Sequence, residues 1–124
     1  MPHKSRIGCI VVDCETDDLT DAFAFWSNAL GCDGAIDEDG KYAVLKAPDG
    51  QPKLLLQRVT HTSRVHLDIE TDDKEAEAAR LVALGARRHE DYPRWIIMEA
   101  PTGHRFCLVD PHRADFATHA NPWP

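Results

Sequence analysis

Three stretches of this chain occur twice, in the same order. "VVDCETDD" at 11–18 lines up with "VHLDIETDD" at 65–73 so that Asp13, Glu15, Thr16, Asp17 and Asp18 meet Asp68, Glu70, Thr71, Asp72 and Asp73, at a shift of 55. "ALGC" at 29–32 pairs with "ALGA" at 83–86 at a shift of 54, and "APDGQPKLLL" at 47–56 with "APTGHRFCLV" at 100–109 at a shift of 53. Collinear matches with a slowly drifting offset are what a duplicated module leaves when a residue is lost at intervening loops. Any fold for this chain therefore has to be built twice from one supersecondary unit.

The unit can be read from either copy. "IGCIVVDC" at 7–14 and "RVHLDIE" at 64–70 are rich in β-branched residues and bounded by turn formers, so both predict strands. In the second, Val65, Leu67 and Ile69 point to one face and His66, Asp68 and Glu70 to the other. The apolar face needs a cover. "DDLTDAFAFWSNALG" supplies one, with Leu19, Phe23, Trp26 and Leu30 on one helical stripe, and "DDKEAEAARLVALG" repeats it with Ala78, Leu81 and Leu84. The shared "ETDD" suits helix starts, Asp72 and Glu75 have the spacing of a capping box, and Gly31 and Gly85 suit left-handed helix ends. "KYAVLKA" and "PKLLLQ" around "PDGQ", and "RWIIMEA" and "RFCLV" around "PTGH", predict two antiparallel hairpins. Further strands near 33–38 and 86–91 complete each copy.

The expected fold class is thus α+β, with two tandem βαβββ modules forming a curved, mostly antiparallel sheet around a central cleft. The expected division is a single domain over 1–124, with module one at about 5–60, module two at about 61–111 and an irregular tail at 112–124. Composition excludes several partners. A formal net charge of −7 repels phosphate backbones and anionic lipid, so neither nucleic acid nor membrane is expected. The one basic cluster, Arg87-Arg88-His89, is short and predicts a solvated loop after a helix. No leader-like basic-then-apolar segment opens the sequence, which points to the cytoplasm. Cys9, Cys14, Cys32 and Cys107 show no CxxC spacing, so a zinc knuckle or redox pair is unsupported. Nor is there a GxSxG elbow, a phosphate-binding glycine loop or a dinucleotide fingerprint.

"LTDAFAFWSNALGCDG" at 19–34, "RVHLDIETDD" at 64–73, "EAARLVALGARR" at 77–88 and "MEAPTGHRFCLVDP" at 98–111 resemble the vicinal oxygen chelate superfamily, within it the glyoxalase-like domain proteins. That superfamily includes glyoxalase I, extradiol dioxygenases and bleomycin-resistance proteins. The resemblance implies a homodimer and a small-molecule ligand. In metal-dependent members each module gives one ligand from its first strand and one from its last. Carried over, those positions are Val11 and His66, and Leu54 and Cys107. Valine and leucine have no donor atom, and a catalytic ion needs about three protein ligands. The expectation is therefore no metal cofactor and a small-molecule-binding protein with a degenerate metal site, in a sequestering or accessory role. The candidate ligand-binding residues are His66, Asp13, Asp68, Trp95, Cys107 and Tyr42. The alternative is a metal-dependent lyase, isomerase or dioxygenase acting on vicinal oxygens, with one divalent ion on His66 and with Asp13, Asp68 or Glu99 as further donors or base. Whether any reaction is catalysed stays open at this point.

Overall fold

The computed structural model describes all 124 residues. Its elements run β1 (His3–Glu15), α1 (Thr20–Leu30), β2 (Gly34–Ile36), β3 (Tyr42–Leu45), β4 (Lys53–Val59), β5 (Arg64–Thr71), α2 (Lys74–Ala83), β6 (Arg87–Asp91), β7 (Ile96–Glu99), β8 (Arg105–Val109), α3 (Phe116–His119) and β9 (Asn121–Trp123). The order β-α-β-β-β occurs twice and a short helix and strand follow. The class is α+β and the strand pairing mostly antiparallel, as expected, with β1 and β4, and β5 and β8, running parallel. No helix is long and apolar enough to cross a membrane.

The chain forms two compact units, one of Cys9–His66 and the other of Met1–Gly8 with Leu67–Pro124. The strands β1 and β5 each contribute residues to both. In the Cys9–His66 unit the strand order is β2-β3-β4-β1-β5. One side of this sheet is covered by α1: Cys14, Leu19, Ala43, Leu45 and Leu56 are buried together, with Val12, Ala22, Phe23, Trp26, Cys32, Ile36 and Leu54 packed around them. Alternation dictates that membership, since Val12 and Cys14, Leu54 and Leu56, and Ala43 and Leu45 are each two residues apart on their strands. The helix stripe is one residue shorter than expected. Leu30 is exposed, because α1 ends there and Gly31, at φ 66°, turns the chain away.

Gly34, at the start of the edge strand β2, is needed for close approach. A Cβ there would lie 2.0 Å from the carbonyl oxygen of Val44, which is backbone and cannot swing aside. Gly34→Ala is expected to cost about 1–3 kcal/mol, as overpacking does, and a urea melt of the variant measures it.

In the other unit the order is β1-β5-β8-β7-β6, with β9 pairing antiparallel to β1 at His3–Ser5. Ala78 of helix α2 is buried with Ala86, Ile96, Met98 and Leu108, and Ile69, Leu81 and Phe106 pack at the margin. Of the apolar side of β5 only Ile69 is covered; Val65, Leu67 and, beyond the helix end, Leu84 are exposed, contrary to the expected stripe. The helix start is also displaced by one residue. Asp73 is the N-cap and accepts from the amide of Ala76, while Asp72 accepts from the amide of Lys4 and Glu75 pairs with Arg88. The basic cluster is not a loop: Arg87 and Arg88 lie on β6 and pair with Glu99, Glu75 and Asp91.

The tail is regular and anchored. Arg6 bridges buried Glu70 (2.5 Å) and Asp115 (2.7 Å), and the amide of His112 donates to Glu70. Trp123 donates its indole N–H to Ser5 Oγ and takes the guanidinium of Arg80 over its ring at 3.9 Å. Proline does not prevent β9, because Pro122 stands on a three-residue edge strand where the lost N–H costs least.

Candidate functional site

In each unit the sheet face opposite the helix is where polar side chains collect. In the Cys9–His66 unit, Asp13 is two residues from Val11 and opposite in sense to Val12 and Cys14, so it points away from α1. Its rung partner on β4 is Gln57, whose rung partner on β3 is Tyr42. His66 completes the row. Its Nδ1 lies 2.9 Å from Oδ2 of Asp13, and Nε of Arg64 lies 3.6 Å from the same oxygen. An ionised carboxylate can only accept, so Nδ1 carries the proton in this contact. Asp13 is only 2 % exposed, and its other oxygen, Oδ1, is buried with no hydrogen-bond partner. A buried carboxylate of that kind is tolerable only beside cationic or donor groups, which His66 and Arg64 supply. Lys41 lies over the ring of Tyr42 at 5.5 Å.

The expected ligand position Leu54 requires correction. Leu54 packs under α1, on the wrong face. Leu56 and Leu108 are the fully buried residues of β4 and β8 and pair with Ala43 and Ile96 in their hairpins, so by hairpin register the residue matching Cys107 is Leu55, whereas by the rung to the first strand Gln57 beside Asp13 answers Cys107 beside Asp68. The slip arises after the turn glycine, where copy one carries both Gln51 and Pro52 before its strand and copy two carries His104 alone. The chemistry is unchanged, since leucine still offers no donor. Gln57, one of the few donors on that face, was not singled out from the sequence; its signal was alternation with Leu55.

In the other unit, β5, β8, β7 and β6 carry a second row: Asp68 pairs with Cys107, Cys107 with Ile97, and Ile97 with Glu90. Trp95 precedes Ile96, which is in the core, and so shares the helix-free face with Ile97 and Glu99. Its ring stacks on Tyr92, with centroids 4.8 Å apart and planes at 21°. The hairpin is closed by the amide of Tyr92 on the carbonyl of Trp95 at 2.9 Å, and Tyr92 Oη donates to Glu90 at 2.7 Å. That hydrogen bond to a carboxylate pushes the Tyr92 phenol above its ordinary value, burial and the charges of Glu90 and Cys107 adding to it. Tyr92 escaped the sequence reading because "DYPR" looks like a plain turn, and Glu90 because it is one acid among several on the strand expected near 86–91. Glu99 is held by Arg87 at 2.6 Å and approached by Arg105 at 3.6 Å, so its carboxylate is already committed and sits below the usual range.

For a metal, His66, Asp68 and Cys107 are a group of donors of the right type. They offer one imidazole, one carboxylate and one thiolate, all on β5 and β8. On the matching strands β1 and β4, Val11 and Leu55 offer nothing, so the two-plus-two ligand pattern of metal-dependent relatives does not fit this chain. All four cysteines are free thiols.

The sequence profile of the glyoxalase-like domain family matches residues 9–109. The chain belongs to that family. It is thereby a member of the vicinal oxygen chelate superfamily. No curated protein sequence matches it. Among solved structures, a hypothetical protein of Bacillus halodurans C-125 superposes with a TM-score of 0.66 at 12% identity, covering 88% of this chain and 96% of that one. A protein of Legionella pneumophila described as an NAD-dependent benzaldehyde dehydrogenase gives 0.64 at 10% identity, covering 84% and 98%. The bleomycin-binding protein of Streptomyces verticillus, solved with copper(II)-bleomycin, gives 0.35 at 14% identity, covering 86% and 98%. At such identities the likeness of the first two concerns the fold alone, and one fold hosts many chemistries.

Proposed function

We propose that this glyoxalase-like protein binds a small molecule on the helix-free faces and does so without the family's metal ion, in a sequestering or accessory role. The observation that carries the reading is the pair Val11 and Leu55, two side chains without donor atoms where metal-dependent relatives place ligands. The remaining polar and aromatic groups, Asp13 with His66, Gln57, Tyr42, Asp68, Cys107 and Trp95, are the kind of sparse polar set in an aromatic lining that orients small ligands. Metal analysis of protein purified without chelator tests it directly. Far less than one equivalent of zinc, nickel, iron or manganese per chain is the expected result; one equivalent overturns the reading.

A second reading has one observation in its favour, the donor group His66, Asp68 and Cys107. Three protein ligands match the number a catalytic zinc site uses. Under it, His66→Ala abolishes metal uptake; under the first, the same substitution leaves metal content at its low wild-type level. A homodimer and a cytoplasmic setting belong to the proposal too. The exposed apolar side chains of Val65 and Leu67 support a partner chain, and sedimentation as a monomer at micromolar concentration would count against it.

A further inference from the structure

The stacked pair Trp95–Tyr92 has properties that the metal question does not touch. We propose that Trp95, Tyr92 and Glu90 form a subsite for a planar organic cation, which stacks on the aromatic pair and sets its charge against Glu90. The inference rests on the small-molecule reading and names the chemical class of at least one ligand portion.

Three observations carry it. The first is preorganisation. The two rings are already parallel within 21°, and their hairpin is closed by a backbone hydrogen bond and by Tyr92 Oη on Glu90. A third planar layer would therefore order little that is not ordered already, which is where binding free energy is usually lost. The second is charge. Arg87, Arg88 and Arg105 are each engaged with Glu99, Glu75 or Asp91, whereas Glu90 takes part in none of the chain's ion pairs and meets only a neutral phenol. The carboxylate stands beside the rings with no cation of the chain paired to it, in a chain whose net charge is −7. The third is the pattern of cation contacts. Phe116, Tyr42 and Trp123 each have a cation of the chain over the ring, from Arg6, Lys41 and Arg80, but the rings of Trp95 and Tyr92 do not. Tyr92 is 40% exposed, so that surface is open to solvent. A delocalised cation gains both from stacking and from the negative face of indole.

The probe is N-methylquinolinium, compared with quinoline at mildly alkaline pH, where quinoline is uncharged and has the same shape. Titrations are followed by the indole N–H resonances, with Trp26 and Trp123 as internal controls. The cation is expected to shift Trp95 selectively and to bind about tenfold more tightly than quinoline. Glu90→Gln should abolish that preference, and Trp95→Ala should weaken binding of the cation by about tenfold or more. Trp95→Leu, which keeps bulk and loses the π-face, gives the same answer should the alanine variant fold poorly. Equal affinity for the two probes, a Glu90→Gln variant that still prefers the cation, or binding unchanged in both Trp95 variants overturns the proposal. Failure of N-methylquinolinium to bind metal-free protein also overturns it while leaving the metal-free reading intact. A resident ion would do the reverse.

Discussion

Replacing Glu77 by alanine is expected to destabilise the protein by about 3 kcal/mol, the order seen when one partner of a buried ion pair is removed. Glu77 is fully buried on α2, where its carboxylate takes Nε and Nη2 of Arg80 at 2.8 Å each and Nε2 of His3 at 2.7 Å. Removing it leaves a guanidinium and an imidazole without their acceptor, beside the indole of Trp123. Burial on its own would raise the carboxyl pKa. The hydrogen bonds from Arg80, His3 and Ser5 overcome burial and bring it from 4.5 to about 2. For His3, burial acts downward, but the Met1 carbonyl and Glu77 outweigh it and leave the imidazole above 6.5. The two limbs have opposite signs. Glu77's folded pKa is depressed, so its contribution is complete above pH 4.5 and is lost as pH falls toward 2. His3's folded pKa is raised, so its contribution is complete below pH 6.5 and is lost as pH rises through the folded value. The clamp that ties β1 and the tail to α2 is therefore strongest between those limits. Urea midpoints measured across acid pH should fall more steeply for the wild type than for Glu77→Gln. Parallel curves would show that Glu77 titrates as an ordinary carboxyl.

None of that clamp was legible in the sequence, and the reason is physical. Within "DDKEAEAARL", Glu77 looks like one more acid on the solvated side of a helix; its partner His3 is 74 residues away, and no local pattern links them. What was legible is what local periodicity and turn chemistry control: the two helices, the first strands of each module, the hairpins, and the α+β class. Errors collected where a tertiary partner decides. β1 begins at His3 rather than residue 7 because β9 pairs with its first residues. Val65 and Leu67 alternate as if half-buried, yet α2 reaches only Ile69. In the candidate site the sequence brought forward His66 and Asp13 separately, as residues on matching strands. That they meet at 2.9 Å follows from β5 lying next to β1, an adjacency no spacing rule gives. Trp95 was named from the sequence as a candidate ligand-binding residue without its partner, because Tyr92, which stacks on it, lies in the connection between β6 and β7.

Leu56→Ala and Leu108→Ala are expected to cost about 2–5 kcal/mol each, the range for emptying a fully buried leucine site. Both side chains have no exposure, and each sits in the cluster beneath its own helix, Leu56 with Ala43 and Leu45, Leu108 with Ile96 and Met98. If the two modules descend from one, these leucines occupy the same place and the two costs should agree closely. The packing clusters are separate, which by itself would let one unit melt before the other. The strands argue otherwise. β1 gives Met1–Gly8 its only sheet element and gives the Cys9–His66 unit its pairing with β4, and β5 likewise runs from one unit into the other. Melting either unit withdraws strands on which the other depends. Both variants should therefore unfold in one calorimetric transition, with van't Hoff and calorimetric enthalpies in agreement, at a lowered midpoint. Two resolved transitions in either variant would mean that the shared strands do not couple the units, and that each cluster holds its own half without help.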